Sequence, residues 1–136
     1  MASDWIRRDS GRRIVILDTS AVLMLFEFSI DLEKELTRLI GSYSIIIPQA
    51  VVNELTVLSK NADGKKQRMA KASLMLIKKY ETAEIGKGKT VDDVIVSAAE
   101  KRNAYVVTND KELRNRLKKR FLHRIFLRGK NHLVLE

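Results

Sequence analysis

The chain has 136 residues, no cysteine, and 26 Lys and Arg against 17 Asp and Glu, a formal net charge of +9. That excludes disulfides, thiolate zinc sites and a thiol nucleophile; no run of about 18 apolar residues offers a membrane span, and Met1–Asp9 lacks the apolar stretch of a signal peptide. The expectation is a soluble, cytoplasmic, single domain over residues 1–136, large enough to cover both faces of a small sheet.

Residues 12–17 read as a buried strand, ended by Asp18-Thr19-Ser20, whose carboxylate and hydroxyls can cap a helix near Ala21–Phe28. Asp31 can cap a second helix through about Ile40, with Gly41 as its stop. Tyr43–Ile47 is a second strand, and Pro48 suits the first position of a helix running to about Leu58. Asn61-Ala62-Asp63-Gly64 is a turn, Gln67–Tyr80 has helical spacing, and Glu81–Thr90 reads as a loop. Helix returns over Val91–Arg102, then a strand at Ala104–Thr108 and a helix over Lys111–Lys119. Two short strands, His123–Arg128 and His132–Leu135, flank the turn Gly129-Lys130-Asn131. Strands alternating with helices predict a three-layer α/β/α domain with a mostly parallel sheet and a short C-terminal hairpin.

Four carboxylates fall where such a sheet brings them to one rim. Helices run antiparallel to their strands in βαβ units, so strand carboxyl ends share an edge with helix amino ends, and ligands bind there. Asp18 and Asp110 follow strands; Glu54 and Asp92 lie in early helical turns. Asp18, Asp92 and Asp110 could each be a simple helix cap. Glu54, interior to its helix and flanked by Ala50, Val51, Val57 and Leu58, resists that account. Helical phase sets Asp92 on the apolar side with Ile95, Val96 and Ala99, and Asp93 toward a more polar sector as a secondary acid. Two like charges about 4 Å apart repel by about 4 kcal/mol at an effective dielectric near 20, so four need protons or a cation. Oxygen-only ligands suit Mg²⁺ or Mn²⁺, and on a basic protein this points to metal-dependent cleavage of nucleic acid.

The basic surplus favours polyanionic partners. Eight basic residues lie between Lys65 and Lys89 and nine between Lys111 and Lys130. Lys65, Lys66, Arg114, Arg116, Lys118 and Lys119 are the candidate nucleic-acid contacts, holding phosphates near the acids; no amphipathic Trp- or Phe-rich segment suggests a membrane partner. Gly88-Lys89-Thr90 resembles the end of a phosphate-binding loop, but Ala83 stands where its first glycine would be. His123 and His132 read as surface residues, Trp5 and Phe26 form no ordered stacking platform, and Phe121 and Phe126 read as core or hairpin packing.

The segments Ile16-Leu17-Asp18-Thr19-Ser20-Ala21, Ile47-Pro48-Gln49-Ala50-Val51-Val52-Asn53-Glu54-Leu55, Val91-Asp92-Asp93-Val94-Ile95-Val96-Ser97-Ala98-Ala99 and Val106-Val107-Thr108-Asn109-Asp110 together resemble the PIN-domain nuclease family, over about residues 12–128. The resemblance implies Mg²⁺- or Mn²⁺-dependent phosphodiester hydrolysis, usually of RNA. Asp18, Glu54, Asp92 and Asp110 would be the catalytic metal-binding acids, and Thr19, Ser20, Thr108 and Asn109 the polar neighbours that orient them. Asp92-Asp93, Thr108–Leu113 and Ile125–Gly129 look like the branch that processes small-subunit ribosomal RNA, which implies pre-rRNA and a ribosome-assembly partner. The short single-domain format also looks like VapC-type toxin ribonucleases, which implies an antitoxin and a homodimer. A non-catalytic RNA-binding module and a DNA-acting flap-type nuclease are the alternatives, the second disfavoured by a chain too short for a helical arch.

Overall fold

The structure is a computed structural model that describes residues 12–136, so the readings of Met1–Asp9 and Trp5 lie outside it. The elements are β1 (Arg13–Leu17), α1 (Thr19–Glu27), α2 (Leu32–Ile40), β2 (Tyr43–Pro48), α3 (Gln49–Asn61) and α4 (Gly64–Leu76). They continue with a 3₁₀ turn (Ile77–Lys79), β3 (Glu81–Ala83), α5 (Val91–Arg102), β4 (Tyr105–Val107), α6 (Lys111–Lys119), β5 (Arg124–Arg128) and β6 (His132–Leu135). The strands form one sheet in the order β3-β2-β1-β4-β5-β6, parallel except for β6, which pairs antiparallel with β5. The expected mostly parallel α/β architecture with its C-terminal hairpin is the one observed.

The apolar runs explain the sheet's position. Val15, Ile16, Leu17, Ile46, Ile47, Val106 and Val107 are fully buried, as continuous apolar strands must be when both faces are covered. From β1 the chain steps outward to β2 and β3, then returns across to β4 and β5. With right-handed crossovers, the helices of the two halves cover opposite faces. The order reverses between β1 and β4, and a crevice opens at their carboxyl ends.

Local signals placed several boundaries. Asp31 caps α2 by accepting from the Lys34 N–H at 3.1 Å, and Gly41 ends that helix at φ +75°. Other boundaries moved. Pro48 is not the first helical residue: it closes β2 in extended backbone (φ −60°, ψ 141°) opposite Ala83. α3 runs on to Asn61 and α4 starts at Gly64, which leaves only Ala62-Asp63 between them. The predicted loop Glu81–Thr90 contains β3. This three-residue edge strand lacks an apolar pattern of its own and exists by pairing with Ile46, Ile47 and Pro48 of β2. Phe121 is corrected outright, for its ring is 93% exposed, whereas Phe126 is buried beneath the Arg114 guanidinium, 4.2 Å from the ring centroid. His123 stacks on Tyr105 at 4.5 Å between ring centroids, and exposed His132 stands 3.5 Å from Glu35. Among the described residues no helix is long and apolar enough to cross a membrane.

Candidate active site

A cleft of about 680 Å³ opens over the β1/β4 switch point. Its lining contains Asp18 just after β1, Glu54 of α3, Asp92 of α5 and Asp110 just before α6, and adds Asp93 and Glu112. Six carboxylates therefore face two cations, Lys66 and Arg116, on a chain of net charge +9. Glu112 is not among the acids the sequence singles out; its place in the first turn of α6, two residues after Asp110, is the signal for it.

Asp18 is the centre of a hydrogen-bond network. It caps α1, accepting the Ala21 N–H at 2.7 Å. The Ser20 hydroxyl donates to both of its carboxylate oxygens (2.8 and 3.0 Å), and the Thr108 hydroxyl donates to Oδ2. Those hydroxyls in turn accept the Asn109 N–H and the Asp110 N–H, each at 3.0 Å. The turn after β4 is thus tied to the acid after β1. Asp110 caps α6 through the Glu112 and Leu113 N–H groups (2.8 and 3.1 Å). Asn109 braces the turn from behind, since its Oδ1 accepts the Leu127 N–H of β5 at 3.0 Å. Ser20 and Thr108 orient the acids directly and Asn109 does so through the backbone. Thr19 does not: its hydroxyl is buried without a hydrogen bond, and nothing in the structure explains it.

Burial controls the charge states. Asp18 is 4% exposed, and desolvation raises its pKa to about 6 against the hydrogen bonds from Thr108, Ala21 and Ser20 that favour the anion. Asp92 is also pushed up, first by burial and then by Asp110, with Arg116 opposing. Glu54 differs from its sequence reading: it is exposed on the cleft wall, and Val57 one turn on is itself 54% exposed, so no apolar stripe encloses it.

Asp93 lines the same cleft but is already engaged. It forms a capping box with Thr90: Thr90 Oγ1 accepts the Asp93 N–H at 3.1 Å, and Asp93 Oδ2 accepts the Thr90 N–H at 3.4 Å. Its Oδ1 accepts from Arg116 Nη2 at 2.9 Å, which holds its pKa below the usual carboxylate range. Thr90 rather than Asp92 is therefore the cap of α5, and the rejected phosphate-loop triplet ends in a helix cap.

Gly86 and Gly88 let the preceding loop run against the first turns of α5. A Cβ on Gly86, at φ +78°, would lie 2.1 Å from the Val94 carbonyl oxygen, and one on Gly88 would lie 2.2 Å from the Asp93 Cβ. Gly86→Ala is expected to destabilise the fold by about 2 kcal/mol or more, read as a lower urea midpoint at unchanged m-value.

Of the basic candidates, only Lys66 and Arg116 reach the cleft lining. Arg114 lies over Phe126, and Lys65, Lys118 and Lys119 are exposed outside it. Among the described residues no three carboxylates or imidazoles stand close enough to form a closed ligand group; the acids instead surround the open cleft.

Comparison with known proteins agrees with the topology. Residues 15–130 match the family model described as a PIN like domain. Ribonuclease VapC9 of Archaeoglobus fulgidus is 27% identical over 129 residues, covering 95% of this chain and 93% of that protein. Ribonuclease VapC4 of Methanocaldococcus jannaschii is 26% identical over 124 residues, covering 89% and 95%. Among solved structures, the PIN domain endonuclease Utp24 superposes with a TM-score of 0.73 at 24% identity over 90% of each chain. A domain of a functionally unknown protein from M. jannaschii does so at 0.59 and 21%, over 86% of this chain and 92% of that one. With the ordered acids at the switch point and a family match spanning 15–130, the chain belongs to the PIN-like domain family.

Proposed function

We propose that the protein is a divalent-metal-dependent endoribonuclease acting in the cytoplasm. The observation that carries this reading is the imbalance in the cleft: six carboxylates against two cations at the sheet's switch point, with buried Asp18 held up near pKa 6. A site that must hold so much uncompensated negative charge fits an oxygen-seeking Mg²⁺ or Mn²⁺. Asp18, Asp92 and Asp110 would hold the ion, with Glu54 contributing from the opposite wall, and Asp93 is already committed to Thr90 and Arg116. When bound, a divalent ion activates water and neutralises charge on the phosphate. The residues do the rest. Ser20 and Thr108 hold Asp18 in a single orientation, and Lys66 and Arg116, on the two walls, can take the flanking phosphates that the acids alone would repel.

RNA as the substrate is supported by the two relatives named as ribonucleases, which align along nearly their whole length. Their single-domain format favours a toxin-type ribonuclease with an antitoxin partner as a second reading beside a role in rRNA processing. An RNA-binding module without catalysis would not need the acidic floor. Incubation of purified protein with labelled RNA and Mg²⁺ or Mn²⁺ is expected to yield products bearing 5′-phosphate and 3′-hydroxyl ends. EDTA should stop the reaction and excess Mg²⁺ restore it; cleavage that persists in excess EDTA would sink the proposal.

A further inference from the structure

Phe121 is 93% exposed and sits in left-handed backbone at φ +59°, directly after α6. The reason for the backbone is clear. The Phe121 N–H donates to the Lys118 carbonyl and the Leu122 N–H to the Leu117 carbonyl, each at 3.0 Å, so the helix ends in a turn whose left-handed position glycine normally takes. The reason for the side chain is not structural. A phenyl ring there carries both the cost of left-handed backbone for a residue with a Cβ and the cost of an apolar surface left in water. Gly or Asn would be easier to accommodate.

The residues just before the ring are basic. Lys118 and Lys119 precede it, both exposed and without an ion pair among the described residues. Arg120, also exposed, is paired with Glu100 at 2.6 Å. Along α6, Glu112 and Arg116 line the cleft, and Lys119 lies one turn beyond Arg116 on the same side of the helix. The distance from Asp110 to Phe121 along the helix is about 16 Å. Beyond the Arg116–Asp93 pair, two lysines, Lys118 and Lys119, thus lie between the acidic cleft and an exposed aromatic ring.

We propose that Phe121 is a base-stacking platform for single-stranded RNA whose backbone leaves the cleft along α6, with Lys118 and Lys119 holding the adjacent phosphates. A planar base is the occupant that suits one isolated ring flanked by cations, because every base offers a π-face and its phosphate a negative charge. This rests on the RNA substrate proposed above and extends it to a second contact remote from the acids.

The test measures RNA binding apart from cleavage. In an Asp18→Asn background, fluorescence anisotropy is read for two single-stranded RNAs, one short enough to occupy only the cleft and one long enough to reach the ring. Phe121→Ala is expected to weaken binding of the long RNA about ten-fold and Phe121→Trp to preserve it, with the loss confined to the long RNA. Phe121→Gly should weaken long-RNA binding equally while unfolding at the same or higher urea concentration. Unchanged long-RNA affinity in Phe121→Ala overturns the platform, and so does a lower urea midpoint in Phe121→Gly, which would make the ring a packing residue. If the protein binds RNA but never cleaves it, the nuclease reading fails and this readout still stands.

Discussion

Asp18→Asn is expected to reduce RNA cleavage by about a thousand-fold or more, since a divalent ion's several kcal/mol of transition-state stabilisation depends on its ligand charge, and yet to leave a more stable protein at neutral pH. Asn remains a good helix cap: its amide oxygen can still accept the Ala21 N–H, and its NH2, in the place of Oδ2, would donate to the Thr108 hydroxyl. What it removes is a desolvated charge. The Asp18 carboxyl, with a folded pKa of about 6 against an ordinary 3.8, holds its proton more tightly in the folded state. Stability therefore falls as pH rises from about 4 to about 6, by about 3 kcal/mol for this one group. The difference in unfolding free energy between Asp18→Asn and the wild type should be small below pH 4 and favour the variant at pH 7. Saturating Mn²⁺ should shrink the gap by stabilising only the wild type. Urea melts at several pH values, with and without Mn²⁺, check it. Robust cleavage by the variant, or a wild type more stable at pH 7 without metal, would remove Asp18 from the centre of the site.

How much of this was legible in the sequence depends on where each signal resides. Asp18 and Asp110 were readable because each closes an apolar strand and caps the following helix, two local signals that coincide. Their convergence needs only the handedness of the crossovers. Asp92 and Asp93 were separated by helical phase, but the decisive fact, Arg116 reaching across from α6 to Asp93, is a contact between residues 23 apart and has no local signature. Glu54 reached the cleft although the argument for it failed: flanking Val57 is exposed, because α3 packs with Val51, Leu55 and Ser59 buried instead. β3 was invisible for the same reason as the Arg116 contact, since three residues at a sheet edge take their structure from a neighbour. Phe121 was misassigned because hydrophobicity argues for burial, while its position is set by a helix-ending turn that faces solvent.

Glu35→Ala, far from the cleft, is expected to destabilise the fold by about 2–4 kcal/mol. In the hairpin, Arg124 and Glu136 exchange both backbone hydrogen bonds (2.9 and 2.8 Å), so by alternation Leu133, opposite Leu127, turns its N–H and C=O outward from β5. The α2 side chains take both. Glu35 Oε1 accepts the Leu133 N–H at 2.9 Å, and Arg38 Nη2 donates to the Leu133 carbonyl at 2.8 Å. The two are joined to each other through Arg38 Nη2 and Nε at 3.0 and 3.3 Å. Glu35 is 6% exposed, and the hydrogen bonds from Arg38 and Leu133 lower its pKa to about 2. Its contribution is complete above the ordinary 4.5 and is lost as pH falls from there through about 2, opposite in sign to that of Asp18. Arg38→Ala should cost less, because the Arg38 side chain is half exposed and its charge is screened. Removing Glu35 also uncovers the outer edge of β6, and an open strand edge recruits another strand. The variant should then associate further than the wild type as concentration rises in light scattering. A Glu35→Ala protein that matches the wild-type urea midpoint would show that β6 is held by its pairing with β5 and the burial of Leu133 alone.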